Sequence, residues 1–245
     1  MLRFSTHSRL ALWAAFFYAP LWAFTRSLFS LLIFSLPITV IISFFAGAVL
    51  ITHAQAALSV VGGGPVSGYI TSLAGVRELF PLLALSALAA RAGSEITSEI
   101  AILKLSRQVD AVESMGISIY QLVIGPRVLA CLFGSLVLVP CADLAGLAGI
   151  YVVGTQQLSM NAGDLLSSLL IWLRPSDLGT GLLKGLVFSG WIGMIATFEG
   201  LSAQGGASGI GRAASRAVVN AMIAGYISCF LLSYWIYGHS TLGNL

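Results

Sequence analysis

Charge is scarce in this sequence, since Asp, Glu, Lys and Arg make up 9% of its 245 residues whereas hydrophobic residues make up 58%. A soluble globule of this composition would lack enough polar side chains to cover its surface. The composition therefore predicts an integral membrane protein. The net charge of +3 is spread along the chain without a basic patch, so we expect no nucleic-acid partner.

Cysteine and histidine are also rare, with three of each. The cysteines lie in apolar runs at spacings that match no zinc site and no disulfide framework, and the histidines are isolated from one another. We therefore expect no metal site, and we interpret the cysteines as small core residues. These six residues are Cys131, Cys141, Cys229, His7, His53 and His239.

The sequence contains no nucleotide-binding loop, because GGASGIGR at 205–212 has neither the Walker A spacing nor its lysine. Ser208 within this segment matches the GxSG pattern of rhomboid-type serine proteases. A serine nucleophile needs a base within hydrogen-bond reach, and the only histidine that follows, His239, lies beyond a predicted span of ~37 Å. The segment is better interpreted as a glycine-rich turn. We expect a chain that is not an enzyme and binds no cofactor of its own.

Five apolar runs are long enough to cross a ~30 Å hydrocarbon core, which needs about 20 helical residues. No remaining stretch is long and polar enough to form a separate soluble domain. The sequence predicts one all-α membrane domain over 1–245, with 1–26 cytoplasmic or interfacial and 27–245 as the transmembrane core. The predicted spans are 29–53, 69–92, 127–154, 177–201 and 214–238.

An additional apolar run at residues 10–24 is short for a span and contains Pro20. It resembles a signal peptide, but no convincing cleavage site follows. We favour an aromatic-rich helix lying along the membrane surface. A sixth span remains the alternative.

The distribution of Lys and Arg predicts the orientation. If the N-terminus is cytoplasmic, nine of the twelve basic residues fall on that side, and only Arg174 lies in an external loop. The positive-inside rule therefore predicts a cytoplasmic N-terminus and an external C-terminus. We expect the chain to lie in the inner (cytoplasmic) membrane. The nine are Arg3, Arg9, Arg26, Arg91, Lys104, Arg107, Arg127, Arg212 and Arg216.

Five ionisable residues fall within predicted spans or at their outer ends, at similar depth. An ionisable group facing lipid costs ~2.5 to 3.5 kcal/mol even on the lenient insertion scale, so these groups must pair or line a wet cavity. One alternative is that they only hold the helices in register. The other, which we favour, is a cavity for a polar or anionic head group with apolar walls for its tails. The residues are Arg77, Glu78, Asp143, Asp177 and Lys184.

A charged segment at residues 91–127 carries eight of the 21 charged residues of the chain. Apolar residues recur in it at roughly helical spacing, which predicts an amphipathic cytoplasmic helix or hairpin between spans 2 and 3. A helix resting on the bilayer would carry mainly Lys and Arg on its polar face. The mixed charge here favours a protein partner.

Several blocks of this sequence together resemble the MlaE/YrbE permeases of ABC-type lipid transporters associated with MCE proteins. The chain departs from the usual family pattern at Leu103, Arg107 and Ile119. The matching blocks are Arg77-Glu78-Leu79 with Pro81, Arg91-Ala92-Gly93, Glu95, Glu99, Gln108-Val109-Asp110-Ala111, Met115-Gly116-Ile117, Pro126-Arg127, Gly205-Gly206-Ala207, Gly209 to Ala213 and Arg216 to Val219.

The resemblance implies that two copies of the chain form the membrane core of a complex. ATP and Mg²⁺ would bind a separate ABC ATPase subunit, an MCE-domain protein would sit on the outer side, and a small STAS-domain subunit is a further candidate partner. It also implies a cavity for membrane lipid, commonly phospholipid, near Arg77, Glu78, Asp177 and Lys184. The coupling segment would run from Glu95 to Met115, and its candidate contacts are Glu95, Glu99, Lys104, Arg107, Asp110, Glu113 and Met115.

We therefore expect the permease subunit of an ATP-driven lipid transporter. Two alternatives stay open: a permease for steroids or other hydrophobic small molecules, and a membrane scaffold that transports nothing. A scaffold has no need for charges at one depth on three helices, so lipid bound among those helices would discriminate against it.

Overall fold

The computed structural model describes residues 21–60, 62–63, 66–116, 119–170 and 175–238, and this part of the chain is helical without strands. The helices are α1 (Leu21–Ser59), α2 (Ser67–Leu105), α3 (Gln108–Ser114), α4 (Leu122–Gln156), α5 (Ala162–Leu170), α6 (Pro175–Leu201) and α7 (Gly206–Ser233). Within the described ranges, five of these are long and apolar enough to cross a membrane, namely α1, α2, α4, α6 and α7.

Each membrane helix coincides with a predicted span but is longer than it. The 39 residues of α1 correspond to about 58 Å of helix, well beyond a ~30 Å hydrocarbon core. The apolar run therefore accounts for the part of each helix that crosses the hydrocarbon core, and the helix continues beyond it. The prediction of an all-α membrane protein is confirmed.

The last four residues of the predicted surface helix at 10–24 overlap the start of α1. Residues 21–24 belong to the first turn of α1, in one helix with the first span. Residues 10–20, His7, His239 and Arg174 lie outside the described residues.

The charged segment, predicted as an amphipathic helix or hairpin, forms two helical stretches. Residues 94–105 continue α2 without a break, and only α3, seven residues long, stands apart from it. Arg107 joins the two in the left-handed conformation, with φ of 57°. Within 94–105, Ile96, Ile100 and Ala101 are buried whereas Ile102 and Leu105 are exposed, so only one face of this stretch packs against the protein.

The described residues group into two compact units. Unit 1 comprises the described parts of 1–34, 88–134 and 186–245, and unit 2 comprises 35–87 and 135–185. In unit 1, α7 presents a stripe of small residues at every fourth position: Gly209, Ala213, Ala217, Ala221, Gly225 and Cys229 are buried. Such stripes allow helix backbones to approach closely.

In unit 2, close helix contact depends on glycines of α1 and α4. A Cβ on Gly149 would lie 2.0 Å from the carbonyl oxygen of Phe44, and a Cβ on Gly47 would lie 2.1 Å from that of Gly146. Phe80 is fully buried in the core of this unit and occupies the space beside Gly146. The helices α1 and α4 therefore touch backbone to backbone.

Replacing Gly149 with Ala should lower the thermal stability of the purified protein. The new methyl group meets backbone atoms that cannot rotate away, and overpacking of this kind costs about 1–3 kcal/mol. The measurement is the temperature at which half the protein leaves the monodisperse peak in detergent. Gly179→Ala is the matched control, because a Cβ there meets nothing within 4 Å. Equal melting of the two variants would contradict the close contact.

Candidate functional site

Two ion pairs join α2 to α6 within unit 2. Arg77 Nε donates to Asp177 Oδ1 at 2.8 Å, and Lys184 Nζ donates to Glu78 Oε1 at 2.6 Å. The lysine also donates to the carbonyl oxygen of Arg77 at 2.8 Å. Four of the five residues predicted to occur at one depth are thus brought together, and we call these four the charge cluster.

Local structure positions the charge cluster. Arg77 and Glu78 lie in a π-helical turn of α2, Gly75–Leu79, where the wider turn alters the direction of successive side chains. Asp177 lies in the first turn of α6, where the helix dipole favours a negative charge. The π-helical turn within α2 and the first turn of α6 therefore direct these groups toward one another.

Burial differs between the two members of each pair. The side chains of Lys184 and Asp177 are 0% and 4% exposed, whereas those of Glu78 and Arg77 are 42% and 29% exposed. Each pair therefore anchors one charge in the protein and presents the other at the surface. The surface members carry opposite signs on adjacent residues, which suits a dipolar or zwitterionic group.

Asp143 is the fifth predicted residue, and the described contacts do not include it in the charge cluster. Its carboxyl group is buried, and its Oδ1 has no hydrogen-bond partner among the described residues. The hydroxyls of Ser35, Thr39 and Ser43, spaced one turn apart on α1, share both properties. The sequence analysis missed this hydroxyl series, although its spacing of four residues is visible in the sequence.

In unit 1, three of the residues predicted to contact a partner also make contacts within the chain that hold the segment in place. Glu99 accepts hydrogen bonds from Arg127 Nε at 2.9 Å and Nη2 at 2.8 Å. Glu95 pairs with Arg91 at 2.8 Å. Lys104 Nζ donates to the carbonyl oxygen of Leu201, which ends α6. These contacts tie the end of α2 to α4 and α6.

The four remaining residues of the expected coupling contacts are exposed. Arg107, Asp110 and Glu113 lie on or beside α3, and no residue of that helix is buried. Met115 follows the helix with 73% of its surface exposed. A large apolar side chain among mixed charges, at the tip of the segment, is suited to contact a protein surface.

The sequence analysis also missed a polar contact between α6 and α7. Glu199 is buried and accepts hydrogen bonds from Arg216 Nε and Asn220 Nδ2, both at 3.0 Å. The sequence does contain a signal for this contact: Glu199 falls in the last turns of an apolar span, where a carboxylate requires a partner. The contact fixes α7 against the end of α6.

Comparison with known proteins agrees with this architecture. Residues 24–235 match the model of the family described as Permease MlaE. A probable ABC transporter permease protein of Rickettsia prowazekii is 35% identical over 199 residues, which cover 81% of this chain and 77% of that protein. One from Synechocystis is 30% identical over 85% of this chain and 81% of its own length.

A third relative is the chloroplast protein trigalactosyldiacylglycerol 1 of Arabidopsis thaliana. It is 29% identical over 171 residues, which cover 69% of this chain and 49% of that protein. The family match, the relatives and the five membrane helices found among the described residues lead to one conclusion: the chain belongs to the MlaE permease family and is an integral membrane permease subunit.

Proposed function

We propose that this chain is the permease subunit of an ATP-driven lipid transporter, with phospholipid as its substrate. The charge cluster carries the proposal, because its partly exposed members, Arg77 and Glu78, offer a cation and an anion side by side on an apolar span. A zwitterionic head group presents the complementary pair of charges. The name of the Arabidopsis relative refers to a glycolipid, which favours lipid as the class of substrate.

In this proposal two copies of the chain enclose the lipid cavity, and the charge cluster and Asp143 belong to its lining. The exposed apolar faces of the membrane helices provide surface for such pairing. Phe29, Phe34 and Phe45 on α1 and Phe230 and Leu231 on α7 each expose at least half of their surface. Lipid or a second copy must cover these side chains in a membrane.

The proposed ATPase contact is the exposed tip of the charged segment, formed by Arg107, Asp110, Glu113 and Met115. Glu95, Glu99 and Lys104 act behind it by transmitting force from the tip to α4 and α6. An ABC transporter permease works with an ATPase on another subunit, and the chain contains no nucleotide motif of its own. ATP and Mg²⁺ would bind that subunit.

The remaining partners follow the family resemblance. An MCE-domain protein would dock on the external side, a STAS-domain subunit could join the cytoplasmic side, and the complex would lie in the inner membrane. The orientation would place the N-terminus in the cytoplasm, as the nine basic residues on that side favour.

Native mass spectrometry of the gently solubilised complex tests this composition. We expect two copies of the chain, ATPase subunits, an MCE-domain protein and bound phospholipid in one assembly. If the assembly contained a steroid in place of phospholipid, the substrate would be the steroid, and the phospholipid part of the proposal would be wrong. An assembly that contains the partners but no lipid of any kind would favour the scaffold and overturn the proposal.

A further inference from the structure

A cleft of about 560 Å³ lies within unit 1, where the start of α1 meets residues 92–99 of α2 and residues 122–130 of α4. Its volume is within the range of small-molecule sites. Leu31, Ile96, Val123 and Ala130 form a buried apolar wall. The cleft shares no residue with the charge cluster.

The two carboxylates that line this cleft are already neutralised. Glu99 pairs with Arg127, and Glu95 pairs with Arg91 and accepts a long hydrogen bond of 3.4 Å from Ser30. Arg26 also lines the cleft. In the part of the chain that the structure describes, no ion pair is recorded for its guanidinium. Arg91 lies outside the lining, and because it and Arg127 neutralise the two carboxylates, Arg26 is left without a carboxylate partner among the described residues.

An unmatched guanidinium beside an apolar wall suits a ligand with an anionic oxygen group and a hydrocarbon tail. Guanidinium binds phosphate through two parallel hydrogen bonds, which makes arginine well suited to it. Ser27 adds a hydroxyl to the same lining. Trp22 also lines the cleft and is 65% exposed, and tryptophan favours the head-group level of a bilayer.

We propose that this cleft binds the phosphate head group of a phospholipid from the leaflet at the start of α1. Arg26 binds the phosphate, and the apolar wall holds the first part of an acyl chain. This is a second lipid site, beyond the one in the proposed transport function. The proposed orientation would make this the cytoplasmic leaflet, and that part of the proposal alone rests on the proposed function.

Photo-crosslinking of the full-length protein in vesicles tests the site. A benzoylphenylalanine at Ala23, which lines the cleft, should label phosphatidylglycerol and phosphatidylethanolamine but not diacylglycerol, which has no phosphate. Arg26→Gln should reduce the labelling about tenfold, as expected for the loss of charge-assisted hydrogen bonds. Arg212→Gln is the matched control, since Arg212 is also exposed but does not line the cleft, and it should leave the labelling unchanged.

Three results would overturn the proposal: unchanged labelling in Arg26→Gln, equal labelling by diacylglycerol, or an equal loss in Arg212→Gln. A second photo-crosslinker at Leu178, beside Asp177, separates this site from the proposed transport function. If lipid is labelled from Leu178 but not from Ala23, only the second site is excluded. If neither position is labelled, the lipid function fails as well.

Discussion

Replacing Lys184 with Gln is expected to reduce co-purifying phospholipid about tenfold, equivalent to ~1.4 kcal/mol. The side chain is fully buried and donates to both Glu78 and the carbonyl oxygen of Arg77. Without it the Glu78 carboxylate lacks its cation, and the π-helical turn that presents Arg77 loses an anchor. The measurement is lipid per protein by mass spectrometry, together with ATPase recovery, which should not change.

Lys104→Gln is the control for that variant, because it also removes a lysine that donates to a backbone carbonyl. It should retain its lipid. Removing one member of a buried pair is strongly destabilising, so Lys184→Gln alone could lose lipid by misfolding. The double variant Glu78→Gln with Lys184→Gln removes both charges and therefore leaves no unpaired charge. Lipid at the wild-type level in a folded double variant would exclude the charge cluster as the head-group site.

Reversing the charge of Asp110 to Lys should release the ATPase subunit, with at least a tenfold loss of ATPase recovered after affinity purification. Close charge pairs at protein interfaces have coupling energies of about 1.5–7 kcal/mol, so reversal of one member can remove most of the affinity. Asp110 is exposed in the first turn of α3, and its loss should leave the helices intact. Bound lipid should remain.

Asp164→Lys provides a matched control, since Asp164 is likewise exposed in the first turn of a short helix, α5. The proposed orientation places it on the external side. Equal loss of the ATPase from both variants would show a general effect of the added charge. Normal recovery and normal lipid-stimulated hydrolysis with Asp110→Lys would remove α3 from the coupling contact.

The spans were predictable because hydrocarbon imposes a simple requirement on composition and length. Lys184 and Glu78 show what composition and length could not predict, namely which side chains pair. Their shared depth could be read from the sequence, but the choice of partners depends on the π-helical turn at Gly75–Leu79, which rotates the side chains of α2. The regular spacing of residues in an α-helix does not predict a π-helical turn, so the sequence pattern did not reveal the rotation.

The charged segment shows a second limit. Glu99 and Asp110 are both acidic residues in one polar stretch, yet Glu99 pairs with Arg127 while Asp110 is exposed. The difference arises from tertiary contact with α4, 28 residues away in the chain. The sequence also did not predict the break between α2 and α3 at Arg107, because a left-handed φ is unusual for arginine.

Transfer of labelled phospholipid by the reconstituted complex tests the central claim most directly. Vesicles containing this chain, an ATPase subunit and the proposed MCE-domain partner should exchange labelled phospholipid with that partner only when ATP is hydrolysed. The double variant at Glu78 and Lys184 should hydrolyse ATP but transfer almost no lipid. The claim would be contradicted if the wild-type complex hydrolysed ATP without transferring lipid, or if transfer were equally fast in the double variant.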